Sequence, residues 1–304
     1  MRIFTFSFFL IFVCSVLHLH AQETSIIKIR TFIPQQYQHN IIYFNPAFAG
    51  SESKREIGLT GYKFSRQESG EPTSGIVYYH APSGARELQT GIGVVTSFEK
   101  FSPYTRGKFG FVYARALQLS KNLRIAGGLQ LNGKFLSINY EEWRRLNPKG
   151  LYVTSDDSDV WPDLDAGIWI NAHPFFLGGS ILNVMGRTFD FKADASRQEM
   201  REALITGGFK IRFGEHYSLT PSFLLQKGFA IENPEQTYSA TANLQFLVLG
   251  ASYRKDHDKG MPWAFNGGLN LGDRVYLVLS ASVPEKAYSE VFKHEVEANL
   301  RVRF

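Results

Sequence analysis

The sequence predicts an all-β fold, a transmembrane antiparallel β-barrel of about fourteen strands with a short N-terminal non-barrel segment. Apolar and polar residues alternate over stretches of about ten residues, as expected for tilted membrane-crossing strands. The connections between these stretches alternate between short and long. Aromatic residues make up 14% of the chain and hydrophobic residues only 44%, a composition typical of barrels with aromatic girdles at both membrane interfaces.

Residues 1–21 are predicted to be a signal peptide. Arg2 supplies a positive charge, the run 3–17 is nearly all apolar but too short for a spanning helix, and Ala21 precedes the expected cleavage point. The chain's one cysteine, Cys14, lies within this segment. We therefore expect no disulfide and no cysteine-based metal site in the mature protein.

Alternation is clearest in the last strand, where the polar residues would share one face. Its apolar residues are Val296, Ala298, Leu300, Val302 and Phe304, and its polar residues are Glu295, Glu297, Asn299, Arg301 and Arg303. We predict that Leu300, Val302 and Phe304 belong to a membrane-insertion strand that pairs with the first strand near Ile57. The same alternation recurs in 123–135, 238–246 and 263–271.

The barrel is predicted to occupy residues 57–304. The predicted strands are 57–66, 74–81, 88–98, 106–118, 122–137, 163–171, 174–183, 203–213, 216–226, 237–246, 248–254, 262–271, 274–283 and 292–304. Tight periplasmic turns are expected at Ser120-Lys121, Ala172-His173, Gly214-Glu215, Leu247 and Gly272-Asp273, and the longest outer loops at 138–162 and 184–202. Short inner turns and long outer loops are the arrangement of outer-membrane barrels.

Two predicted strands fit the pattern less well. Pro221 cannot donate a hydrogen bond to a closed ladder, so a bulge or register shift is expected there. The run Ile76, Val77, Tyr78 and Tyr79 does not alternate, and its facing is left open.

Residues 22–56 do not have a strand pattern. They contain Phe44-Asn45-Pro46-Ala47-Phe48-Ala49-Gly50-Ser51, in which Asn-Pro favours a turn and Gly50 allows a positive φ. Such a segment would either hang in the periplasm or fold into the lumen as a plug. The sequence leaves both alternatives open.

The same segment carries a family resemblance. Residues 38–51, QHNIIYFNPAFAGS, resemble the opening of the PorP/SprF family of type IX secretion system outer-membrane proteins. The matching positions are Tyr43, Asn45, Pro46, Ala47, Ala49, Gly50 and Ser51, and the C-terminal end matches through Glu295, Leu300, Arg301, Arg303 and Phe304. His39-Asn40 stands where the family often has a second Asn-Pro.

The resemblance implies a location in the cell outer membrane and a role in protein export or surface attachment. The implied partners are a large secreted adhesin or repeat protein with a C-terminal sorting domain, and other type IX secretion components. Another branch of the family implies a periplasmic peptidoglycan-binding partner, and a barrel also contacts outer-membrane lipid.

Candidate chemical sites were weighed along the chain. The histidines His80, His173, His216, His257 and His294 are scattered, and nothing in their order suggests a serine, a histidine and an orienting group, so no enzyme and no cofactor are expected. The acidic run Asp156, Asp157, Asp159, Asp163 and Asp165 lacks EF-hand order, which favours a solvated loop over a Ca²⁺ site. The net charge of +5 comes without a basic cluster, which argues against nucleic acid.

Three functional hypotheses remain from the sequence. The first is an accessory for secretion and anchoring, as the resemblance implies. The second is a channel for a small or hydrophobic solute, since a barrel of about fourteen strands with an N-terminal plug also suits such transport. The third is a purely structural barrel. Mixed charges on the polar faces favour a blocked lumen over an ion-selective pore.

Overall fold

The computed structural model describes residues 27–51, 54–66, 72–84, 88–146, 156–189, 197–229, 233–255, 262–272, 274–284 and 292–304. The predicted signal peptide lies outside these residues. Within the described ranges the barrel has fourteen strands: β1 (Glu56–Arg66), β2 (Thr73–Gly84), β3 (Leu88–Phe101), β4 (Tyr104–Ser120), β5 (Leu123–Ile138), β6 (Asp157–Ala172), β7 (Phe175–Leu182), β8 (Glu202–Phe209, continued by Ile211–Arg212), β9 (Tyr217–Gly228), β10 (Glu235–Leu244), β11 (Leu247–Lys255), β12 (Trp263–Leu271), β13 (Val275–Val283) and β14 (Phe292–Arg303).

The strands close into a cylinder. Each pairs antiparallel with the next along the chain, and β14 pairs with β1, so that Val302 lies opposite Ile57. This confirms the predicted antiparallel barrel of about fourteen strands. Among the described residues, no helix has the length and apolar character needed to span a membrane.

Side chains alternate between the membrane and the lumen as the periodicity predicts. In β5, Leu129 and Leu131 point outward and are 53% and 60% exposed, whereas Gln130 and Asn132 point inward and are 1% and 2% exposed. The facing left open in β2 is also resolved: Ile76 and Tyr78 are buried on the lumen side, so Val77 and Tyr79 face outward.

The barrel has a turn end and a loop end. The turn end carries the connections that follow the even-numbered strands, such as His173-Pro174 and Gln245-Phe246. Leu247, predicted as a turn residue, is the first residue of β11, and the turn instead uses Gln245 at a φ of 59°. Because outer-membrane barrels have short turns on the periplasmic side, the turn end faces the periplasm.

The first long outer loop is shorter than predicted. β6 begins at Asp157, which pairs with Ile138, so the connection covers 139–156 and not 138–162. It includes the helix α2 at Tyr140–Leu146, which comes after the one-turn helix α1 at Ile41–Phe44 in the N-terminal segment. Within the added part of the strand, Asp159 contacts Arg187 at 2.9 Å.

The predicted bulge at Pro221 is wrong. The pairs Gly208↔Ser222 and Ile211↔Leu219 keep one register on either side of it, and Pro221 lies opposite Ala240 in an unbroken ladder with β10. Instead, β8 is interrupted at Lys210, whose N–H donates to Pro174 O at 2.9 Å. Pro221 has no N–H group to donate to β8, and the short interruption of β8 at this point accommodates that absence.

Candidate functional site

The N-terminal segment runs through the inside of the barrel. At the loop end, Ile27–Ile29 pairs in parallel with Arg197–Glu199, which pairs in turn with Thr188–Phe189. At the turn end, Arg55 and Phe304 exchange two backbone hydrogen bonds of 3.1 Å. Residues 29–51, which we call the plug segment, lie between these points. The plug segment therefore passes from the outer end of the lumen to the periplasmic end.

Basic and amide side chains of the barrel wall hold the outer part of the plug segment by its backbone carbonyls. Arg106 Nη2 donates to Arg30 O at 2.6 Å, and Arg254 Nη2 donates to Ile33 O at 3.0 Å. Both guanidinium groups also contact carboxylates, Arg106 with Glu99 at 2.6 Å and Arg254 with Glu235 at 3.1 Å. Each buried charge thus has a partner on the wall and a carbonyl on the segment, which offsets its desolvation.

The centre of the plug segment is tied to β14. Glu297, 1% exposed, accepts hydrogen bonds from the backbone N–H groups of Gln35 at 2.5 Å and Gln36 at 3.0 Å. Asn40 Nδ2 donates to Asn299 Oδ1 at 3.0 Å. The two bonds to Glu297 satisfy backbone donors that would otherwise be buried without water.

The family-like motif forms the inner part of the plug segment. Asn45 Oδ1 accepts from Ala47 N at 3.1 Å and so caps the 3₁₀ turn Pro46–Phe48, with proline at its first position. Asn45 Nδ2 donates across the lumen to Ile168 O at 3.0 Å and Gly179 O at 3.3 Å. One side chain therefore both shapes the turn and attaches it to β6 and β7.

Glycines of the wall create the space into which the motif packs. A Cβ built on Gly128 would lie 2.4 Å from Ala47 N, and one on Gly91 would lie 1.9 Å from Ala49 O. Both positions therefore exclude any side chain while the motif is in place. Gly128 of β5 lies opposite Gly167 of β6, and both glycines are visible in the sequence. Alternation alone does not reveal that a second segment fills the space beside them.

The other predicted motif residues lie in the same place. Tyr43 is buried beneath Lys108, whose Nζ is 4.3 Å from the ring centroid and donates to Tyr43 O at 3.3 Å. Gly50 adopts a φ of 68°, and Ser51 O accepts from Arg124 at 3.3 Å. The structure thus gathers the whole predicted motif inside the lumen.

The predicted insertion strand lies on the closing seam of the barrel. Leu300 and Val302 are half-buried on the outer face of β14 and pair with β1, and the Phe304 side chain is exposed with its ring stacked on Tyr79 at 6.5 Å. Their role in membrane insertion stays a prediction.

The residues of the predicted acidic run do not converge on one site, and they make separate interactions. Asp163 contacts Lys134 at 2.7 Å, Asp165 contacts Lys108 at 3.6 Å and Asp159 contacts Arg187 at 2.9 Å. Asp156 accepts from Tyr140 N at 3.0 Å. A solvated loop is therefore the wrong description of Asp163 and Asp165, which face the lumen. Among the described residues there is no group of three or more histidines and acids placed to hold a metal ion.

Trp143 of the outer loop packs inward. Trp143 lies on α2 against a buried cluster at the loop end. That cluster contains Ile29, Tyr104, Leu136, Ile138, Tyr140, Trp161 and Phe189. Arg144 and Arg145 on the same helix are exposed. The outer mouth is therefore covered by packed aromatic side chains together with the start of the plug segment.

A wide cavity opens at the turn end, below the plug segment. Its volume is about 660 Å³, compared with about 40 Å³ for a small cavity near the loop end. We call it the inner vestibule. Its wall carries the basic side chains of Lys210, Arg212, Arg274, Arg301 and Arg303. The lumen is thus filled in its outer and central parts and open towards the periplasm.

A sequence model of the family described as "Type IX secretion system membrane protein PorP/SprF" matches residues 31–299. This range covers the plug segment and almost the entire barrel. The chain belongs to the PorP/SprF family. The predicted resemblance is confirmed, and PorP/SprF membership together with the barrel fold indicates an outer-membrane protein of the type IX secretion system. Family and fold are those of a membrane barrel, not of an enzyme class.

Solved structures with a similar fold are also outer-membrane barrels. The Ralstonia pickettii toluene transporter TbuX has a TM-score of 0.56 at 10% identity, with 92% of this chain and 96% of that chain covered. The Pseudomonas putida toluene transporter TodX has a TM-score of 0.51 at 9% identity, with 92% and 99% covered. At these identities the likeness shows the fold alone. No curated protein matches the sequence.

Proposed function

We propose that this PorP/SprF barrel assists the export or surface anchoring of a large secreted adhesin-like protein by docking a partner, without conducting that protein through its own lumen. The partner is the C-terminal sorting domain of the secreted protein or a periplasmic component of the machinery, such as a peptidoglycan-binding protein. The observation that carries the proposal is the plug segment, which crosses the lumen and is bonded to the wall on several sides.

The bonding pattern supports a permanent plug. Arg254, Glu297 and Asn45 anchor three successive parts of the segment, and each would be left with unsatisfied buried groups if the segment departed. A barrel filled in this way offers its two ends and its outer face for interactions. Docking at an end is therefore the function best supported by the geometry.

Gene deletion tests the proposal. In the deletion strain, at least one type IX substrate should be lost from the cell surface, and the full-length gene should restore it. Normal surface display of every type IX substrate in the deletion strain would contradict the proposal. Reconstituted alone in planar bilayers, the protein should show little conductance.

The alternative is an outer-membrane channel for a small or hydrophobic solute. The likeness in fold to toluene transporters favours it, whereas the charged wall of the inner vestibule suits a hydrophobic solute poorly. Uptake of toluene by intact cells separates the two. Uptake that depends on this gene, together with normal surface display in the deletion strain, would favour the channel.

A further inference from the structure

The inner vestibule has the features of a binding site. Its volume of about 660 Å³ falls within the range of about 300–1,000 Å³ that is typical of ligand pockets. Its walls are the periplasmic ends of eight strands, and its floor is the underside of the plug segment at Gln38, Ile41 and Phe48. A ligand would therefore arrive from the periplasm and stop at the plug.

The vestibule has a surplus of positive charge. Its lysine and arginine residues are Lys210, Arg212, Arg274, Arg301 and Arg303, and the acidic residue among its lining side chains in the described ranges is Glu215. Arg303 contacts Glu56 at 2.6 Å. In the part of the chain that the structure describes, neither Arg212 nor Arg274 forms an ion pair. Arg212 and Arg274 are thus left to attract an anion.

Arg301 is held in a position suited to binding. Its guanidinium carbon lies 4.3 Å from the centroid of the Tyr276 ring, and its Nε is buried with no hydrogen-bond partner among the described residues. Stacking fixes the plane of the guanidinium, which favours two parallel hydrogen bonds to a carboxylate. A buried donor without a partner costs free energy that a bound acceptor would recover.

The remaining lining fits a peptide. Amide side chains, which can pair with peptide N–H and C=O groups, line the same cavity as the basic residues, and so do the aromatic rings of Trp169 and Phe176. The amides of the vestibule are Gln38, Asn171, Asn243, Gln245 and Asn270. This combination of amides, rings and guanidinium groups suits an extended acidic segment better than a lipid phosphate, which would need apolar surface for its acyl chains.

We propose that the inner vestibule binds an acidic, extended peptide segment of a periplasmic partner, with Arg212, Arg274 and Arg301 contacting its carboxylates. The proposal rests on the docking function proposed above and names the surface and the chemistry of that docking. Salt should weaken the complex, since the binding charges lie at an open cavity mouth.

Fluorescence anisotropy on the full-length protein in detergent tests this binding. The probe is a rhodamine-labelled peptide of ten residues with alternating Glu and Gly, and its comparison peptide has Gln in place of Glu. The wild type should bind the Glu peptide about tenfold more tightly than the Gln peptide, because each carboxylate gains a charge-assisted hydrogen bond. Arg212→Glu/Arg274→Glu should reduce affinity for the Glu peptide about tenfold or more.

A matched control makes the same change of charge, two arginines replaced by glutamate, away from the inner vestibule. Arg144→Glu/Arg145→Glu alters two exposed arginines on α2 at the opposite end of the barrel, and it should leave the affinity unchanged. Equal binding of the Glu peptide by the wild type and the Arg212→Glu/Arg274→Glu variant would overturn the proposal, as would no binding by the wild type. Binding of phosphatidylglycerol micelles, lost in that variant, with no peptide binding would overturn it in favour of a lipid.

Cells separate this inference from the proposed function. If the deletion strain loses surface display and the Arg212→Glu/Arg274→Glu strain also loses it with normal barrel levels, both proposals are supported. Normal display in the double variant, with loss in the deletion strain, would overturn the vestibule proposal alone. Normal display in both strains, together with salt-sensitive peptide binding, would overturn the docking function alone.

Discussion

Ala47 and Gly128 are in such close contact that a methyl group built on Gly128 would lie 2.4 Å from the amide nitrogen of Ala47. Ala47 belongs to the plug segment and Gly128 to the lumen face of β5. The contact depends on the absence of a side chain on the wall, so it links a single wall position to the seating of the plug.

Gly128→Val should displace the inner half of the plug segment and leave the barrel folded, because the new side chain occupies the space of the Ala47 backbone. Conductance in planar bilayers should rise above that of the wild type, and trypsin should cleave the N-terminal segment faster. Gly127→Val is the matched control, since a Cβ at Gly127 has nothing within 4 Å. Identical conductance and cleavage in the two variants would contradict the seating of the plug described above.

Glu297→Ala should destabilise the protein, because the N–H groups of Gln35 and Gln36 lose their acceptor. Each unsatisfied buried group costs about 1–3 kcal/mol, which urea unfolding in lipid vesicles would detect as a lower midpoint. Glu297→Gln keeps an acceptor oxygen and should lose less. Glu215→Ala, on the exposed turn between β8 and β9, should leave the midpoint unchanged.

Lys134→Met should lower the free energy of unfolding more than most single substitutions in the lumen. Lys134 contacts Asp163 at 2.7 Å and Glu199 at 3.0 Å, and Asp163 is fully buried. Removing one partner of a buried pair costs about 3–5 kcal/mol. The double variant Lys134→Met/Asp163→Asn should recover part of this loss in the same urea experiment, and a double variant less stable than the single one would refute the pairing.

Asn45→Ala should loosen the family motif. The change removes the cap of the Pro46–Phe48 turn and the bonds to Ile168 O and Gly179 O. Loss of a cap costs about 1 kcal/mol, and the lost contacts across the lumen add to this. Trypsin cleavage after Arg30 should therefore accelerate relative to the wild type. Asn45→Asp, which keeps the capping oxygen, should fall between the two, and no acceleration in Asn45→Ala would show that the motif does not anchor the segment.

Much of the barrel could be predicted because a strand with one lipid face and one lumen face must alternate. The facing of Leu129 against Gln130 follows from this period alone. The start of β6 could not be predicted in the same way. Asp157 and Asp159 lie in the predicted loop, and Arg187, the basic partner of Asp159, is distant in sequence.

Less of the candidate site could be predicted from the sequence. The motif from Tyr43 to Ser51 could be recognised, but its position depends on contacts with β3, β5, β6 and β7 that no local pattern encodes. The inner vestibule shows the same difficulty. Lys210 and Arg212 lie at the end of β8, Arg274 lies just before β13 and Arg301 lies on β14, so no basic cluster is visible along the chain.

The central claim is that the barrel works with its plug segment in place, and locking the plug tests it most directly. Gln38 and Thr241 both line the inner vestibule, with Gln38 Nε2 3.0 Å from Thr241 Oγ1. The chain's one native cysteine is Cys14 in the predicted signal peptide, so Gln38→Cys/Thr241→Cys can be joined selectively in cells by a short cleavable thiol cross-linker. Surface display of newly made type IX substrate should continue in the cross-linked state. Display that stops on cross-linking and returns when the linker is cleaved, with each single-cysteine variant unaffected, would contradict the claim and show that the plug has to move. The cross-linked protein must still bind the Glu peptide, which excludes a blocked vestibule as the cause.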